Sequence, residues 1–86
     1  KENSEAYNIS DLEPTPEDKI IIEQNLAELL GYIKQLKPAH QEIINLRYFQ
    51  ELSYKEIAAT INEPMSSVKY KLLRAKKLLS NIIHNK

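Results

Sequence analysis

Between positions 66 and 77 the chain carries Ser66, Ser67, Lys69, Tyr70, Lys71, Leu73, Arg74, Lys76 and Lys77, with no acid among them. Serine hydroxyls and lysine ammonium groups suit phosphate oxygens. Lys69 and Arg74 carry donors of the kind that pair with guanine O6 and N7. Tyr70 suits a phosphate or a thymine methyl, and Leu73 can meet only a methyl. Ser66, Ser67, Lys69, Tyr70, Leu73, Arg74, Lys76 and Lys77 lie off the apolar series Val68, Leu72, Ala75, Leu79 and Ile82, whose helical spacing marks an inward stripe. The pattern reads as a helix with one buried face and one hydrogen-bonding, cationic face. A solvated basic face is the bland alternative. On it, Lys76 and Lys77 are solubilising charges, Tyr70 is plain surface, and Leu73, taken by type alone, is core.

The formal net charge is zero, from 12 basic and 12 acidic residues. Its distribution is uneven. Residues 1–43 hold four basic and nine acidic side chains, a balance of −5. Residues 44–86 hold eight basic and three acidic ones, a balance of +5, and no acid follows Glu63. A basic face within a neutral chain is a footprint for nucleic acid. Other chemistries find little support. A single glycine excludes a glycine-rich phosphate loop, and the lack of cysteine excludes thiol chemistry and disulfides. His40 and His84 stand far apart without a carboxylate cluster, so no metal site is expected. No nucleophile-base pair is evident, so the chain is not expected to be an enzyme or to need a cofactor. No apolar run reaches the roughly 18–20 residues of a membrane span.

The elements that must position the basic face follow from local signals. Residues 1–15 are polar and acidic and read as a linker or arm, with the folded domain over 16–86. The chain begins at Lys1 rather than Met, so a preceding segment is expected. Thr15-Pro16-Glu17-Asp18 opens a helix with a capping residue, a first-turn proline and two acids. The stripe Ile22, Leu26, Leu29, Ile33 and Leu36 extends it over about 16–36. Gly31 within it suggests close packing. Pro38 opens a second helix, about 39–49. Ser53-Tyr54-Lys55-Glu56 is a capping box for a third, about 53–61, burying Ile57, Ala58 and Ile61. Asn62-Glu63-Pro64 breaks it, and a fourth runs over about 65–83. Glu51 reads as a turn residue and Glu56 as the capping partner. The expectation is an all-α, four-helix domain ending in a helix-turn-helix, a winged-helix-like DNA-binding architecture without the wing.

Residues 36–80, LKPAHQEIINLRYFQELSYKEIAATINEPMSSVKYKLLRAKKLLS, resemble region 4 of bacterial RNA polymerase sigma factors, particularly the extracytoplasmic-function group. The resemblance rests on Glu42-Ile43-Ile44, Leu46-Arg47-Tyr48, Leu52-Ser53-Tyr54-Lys55-Glu56-Ile57-Ala58, Pro64, Val68-Lys69 and Arg74-Ala75-Lys76-Lys77-Leu78. It implies double-stranded promoter DNA as a partner, read at the minus-thirty-five element. It also implies docking on the flap of the polymerase β subunit, masking by an anti-sigma protein, and a cytoplasmic location. On it, Lys69, Tyr70, Leu73 and Arg74 fall on base-reading positions. Ser66, Ser67 and Lys71 fall on or beside phosphate-contacting ones, with Lys77 a further backbone candidate. Arg47, Ser53, Tyr54 and Lys55 match positions that hold the DNA backbone.

The apolar residues surplus to the first helix's stripe, Ile20, Ile21 and Leu30, suit either a protein-docking surface or the core. Tyr70-Lys71 stands where Ser-Arg is common and Leu73 where His or Phe is frequent, so the bases read do not transfer with the resemblance. Two other readings remain open at this level. One is an adaptor working mainly through protein contacts. The other is a stand-alone helix-turn-helix regulator or a transposase fragment.

Overall fold

The computed structural model describes residues 15–85; the expected arm over 1–15 lies outside it, except for Thr15. Among these residues every regular element is helical. They are α1 (Pro16–Ile22), α2 (Leu26–Ile33), α3 (Pro38–Ile44) running into a π-helical turn (Asn45–Phe49), α4 (Tyr54–Ile61) and α5 (Met65–His84). The all-α expectation holds.

The first helix is two helices rather than one. Thr15 caps α1 as its sequence suggests: its hydroxyl accepts from the Asp18 amide, and the Asp18 carboxylate accepts from the Thr15 amide at 2.8 Å. At Asn25 a second cap intervenes. Its side-chain oxygen accepts from the amides of Ala27 at 2.9 Å and Glu28 at 3.3 Å, which starts a new helix. Gln24 closes α1 by donating to the Ile20 carbonyl at 3.1 Å. The break shifts the helical phase. Ile21 is fully buried, while Ile22 and Leu26, expected on the inner stripe, are 68% and 60% exposed.

Gly31 shows no close packing: a Cβ placed there would meet nothing within 4 Å. Its only effect on α2 is therefore entropic. Gly31→Ala should stabilise the domain by about 0.5–1 kcal/mol, read as a higher midpoint in urea. An unchanged or lower midpoint would mean that α2 is not helical at this position in solution.

α5 is the central element; α1, α2, α3 and α4 all pack against it. Val68, Leu72, Ala75, Leu79 and Ile83 line its inner face, against Ile21, Leu29, Ile33, Ile43, Ile44 and Ile57. Ile83 takes the inner position expected of Ile82, which is half-buried. The turn between α4 and α5 is as read. Asn62 is left-handed (φ 58, ψ 47) and the Glu63 amide closes onto the Ala58 carbonyl at 3.0 Å. Glu51 is also left-handed (φ 56), in the loop between the π-turn and α4.

Candidate nucleic-acid interface

The candidate interface is the outer face of α5. Tyr70 and Leu73 are 63% and 53% exposed, and Ser66, Arg74 and Lys77 are exposed with them. At helical spacing Ser66, Tyr70, Leu73, Arg74 and Lys77 form one row, with Lys69, half-buried, on its flank. Leu73, core by type, is therefore on the outer face. The anchoring of α5 explains this: Leu72 and Ala75 point inward on either side of it. No acid lies on α5, and three of its cations belong to this face or its edge.

Lys76 departs from expectation. Its place off the apolar stripe predicts an outward side chain, yet it is only 4% exposed. It lies one helical turn from Leu72, on the buried side, and its charge is met there. Its Nζ donates to Asp18 Oδ2 at 3.1 Å and to Thr15 Oγ1 at 3.3 Å. The Tyr48 hydroxyl donates to the other oxygen of the same carboxylate. Burial pushes Asp18 toward the neutral form. The Thr15 amide, the Tyr48 hydroxyl and the Lys76 ammonium outweigh that and hold its carboxyl below the ordinary value. Burial and the Asp18 carboxylate together push the Tyr48 phenol well up. The network fastens α1 and the π-turn to the middle of α5, so it sets where the outer face sits.

The expected backbone-contacting residues divide. Ser53 is committed to its helix: its hydroxyl accepts from the Glu56 amide at 3.0 Å, and Glu56 accepts from the Ser53 amide at 2.8 Å. Arg47 lies over the Tyr54 ring at 5.0 Å and donates to the Leu52 carbonyl at 2.8 Å. The π-turn gives Arg47 this position, because its wider winding delivers the side chain to the loop before α4. Lys55 is exposed at the start of α4. Lys71 is exposed but paired: its Nζ meets Glu63 Oε2 at 2.7 Å. The Lys71 ammonium, with a smaller contribution from Ser67, holds the Glu63 carboxyl below the ordinary carboxylate range.

Of the expected docking residues, Ile21 is withdrawn, since full burial makes it core. Ile20 is half-buried against the core, and Leu30 is 45% exposed. Leu30 shares a shallow groove with Ile33, Pro38 and Phe49. The exposed Ile22, Leu26 and Phe49, which the sequence did not single out for docking, add to the apolar surface. Among the described residues no cluster of His, Cys, Asp or Glu could hold a metal, and no helix is long and apolar enough to cross a membrane.

This arrangement can be set beside known proteins. Over 79 residues the chain is 29% identical to the ECF RNA polymerase sigma factor BldN of Streptomyces coelicolor, covering 92% of the chain and 30% of that protein. The chain thus spans less than a third of the length of that relative. No solved structure matches it. A family described as Sigma-70, region 4 matches residues 26–79, which takes in α2 to α4, the helix-turn-helix and most of α5. With that match over well above half of its length, the chain belongs to the sigma-70 region 4 family.

Proposed function

We propose that the chain is the promoter-reading domain of an extracytoplasmic-function sigma factor, placing the outer face of α5 in the major groove at the minus-thirty-five element. One observation carries the reading: an exposed row of Ser66, Tyr70, Leu73, Arg74 and Lys77 on a helix without acids, the second of a helix pair joined by a short turn with a left-handed Asn62. In this motif the N-terminal part of the second helix meets base edges while the first helix crosses the backbone. Lys69 and Arg74 then read guanine edges, and Tyr70 and Leu73 meet methyl groups. Ser66, Lys77 and Lys55 hold phosphates, with Arg47, Ser53 and Tyr54 shaping the backbone contact before α4.

The exposed apolar side chains Leu26, Leu30 and Phe49 supply the surface for the polymerase flap or for an anti-sigma protein. The protein works in the cytoplasm, with no enzymatic activity and no cofactor of its own. The zero net charge supports dependence on polymerase, because a neutral domain gains little from nonspecific attraction to DNA.

The test is selection from a random duplex pool, followed by titration of the winning duplex at several salt concentrations. The expected result is a defined sequence and a log–log salt slope of about −2 to −3, from the roughly three cations, Lys55, Lys77 and Arg47, on phosphates. No enrichment, or a slope near zero, overturns the reading.

A further inference from the structure

We infer that Glu63 is an internal stand-in for a DNA phosphate, holding Lys71 until a backbone phosphate displaces it. This rests on the DNA-binding reading above and adds a competitor to it.

Glu63 lies in the turn of the helix-turn-helix, and its carboxylate takes the Lys71 ammonium at 2.7 Å. A lysine ammonium on a carboxylate oxygen is the contact that a phosphodiester oxygen also takes from a protein. The pair is accessible, with Lys71 and Glu63 side chains 46% and 32% exposed, so a strand can reach it. An exposed ion pair is weak, so it can be exchanged on binding. Glu42 lies beside Glu63 and Lys71 in the same small notch, but Lys71 pairs with Glu63.

The consequence is specific. Lys71 gains a phosphate only by giving up Glu63, so in the native chain its net contribution to DNA affinity is small. Removing Glu63 sets that contribution free. A second consequence concerns discrimination: an anion held at the mouth of the reading helix penalises any duplex whose strand does not come close enough to replace it.

The experiment is a double-mutant cycle with the 86-residue chain and a mixed-sequence duplex at low salt. It uses Glu63→Gln, Lys71→Met and the double variant, with Glu42→Gln as the control for general loss of negative charge. Circular dichroism checks that each remains helical. Lys71→Met should change affinity less than about twofold in the native background and about fivefold or more in Glu63→Gln, with Glu63→Gln steepening the salt slope by about one. In Glu42→Gln, Lys71→Met should again cost little. Equal cost of Lys71→Met in all backgrounds overturns the inference, as does a gain in Glu63→Gln that survives Lys71→Met. If none of the proteins binds the mixed-sequence duplex or the duplex selected above, the promoter-reading proposal fails and this inference with it. If the native chain binds and the cycle shows no coupling, only the stand-in fails.

Discussion

Asp18→Asn should cost the domain about 3–5 kcal/mol, because it leaves the Lys76 ammonium buried without its counter-charge. The Lys76 side chain is 5% exposed and that of Asp18 17%, so the ammonium has almost no water to fall back on. The loss is a large share of the whole, since domains are stable by only about 0.05–0.15 kcal/mol per residue. The variant should unfold near ambient temperature when followed by circular dichroism. The decisive arm is the double variant Asp18→Asn with Lys76→Met. Methionine keeps the aliphatic stem and removes the charge, so most of the lost stability should return. A single variant within about 1 kcal/mol of the parent would mean that the pair is open in solution.

The same carboxylate gives a pH signature with a defined sign. Its folded pKa lies below the ordinary 3.8. A group with a depressed folded value adds stability above its unfolded pKa and loses it as pH falls through the folded one. The parent should therefore hold its stability through neutral and mildly acid solution and lose it below about pH 4, where Asp18→Asn lacks that component.

These particulars show what local sequence can and cannot encode. The capping boxes at Thr15 and Ser53 and the left-handed Asn62 involve residues within three or four positions, so they are legible in the chain and present in the fold. The break at Asn25 was also written locally, in Asn25 followed by Glu28. A continuous hydrophobic period across it masked the signal, and with it the phase change that buries Ile21 and exposes Ile22.

Lys76 was not legible at all. Its residue type says surface and its helical phase says core. The decision belongs to Asp18, 58 positions away, and to Tyr48 on a π-turn that no local pattern announces. Leu73 is the converse case, an aliphatic residue kept outside because its neighbours fix the rotation of α5. Much of the outer face could be read from periodicity, but the ion pairs of α5, Lys76 with Asp18 inside and Lys71 with Glu63 outside, needed three dimensions.

Arg74→Ala should weaken binding to the selected duplex about tenfold or more, from the 1–3 kcal/mol carried by a good bidentate base contact. The alanine variant alone does not separate a base contact from a phosphate contact, since both lose a charge. Arg74→Lys does. Lysine keeps the charge and loses the planar fork, so a phosphate contact survives it largely intact while a bidentate guanine contact does not. The position supports the fork: Arg74 is exposed next to Leu73 and one turn beyond Tyr70. The expected pattern is a large loss on the selected duplex for both Arg74 variants, a preference relaxed at one base pair, and little change on mixed-sequence DNA for Arg74→Lys. Lys77→Ala should instead lower affinity for all duplexes alike and reduce the salt slope by about one. Should Arg74→Lys bind the selected duplex as the parent does, Arg74 is a phosphate contact. Base reading then falls to Lys69, Tyr70 and Leu73, and with a single charged reader the domain's specificity would rest mainly on methyl contacts and DNA shape.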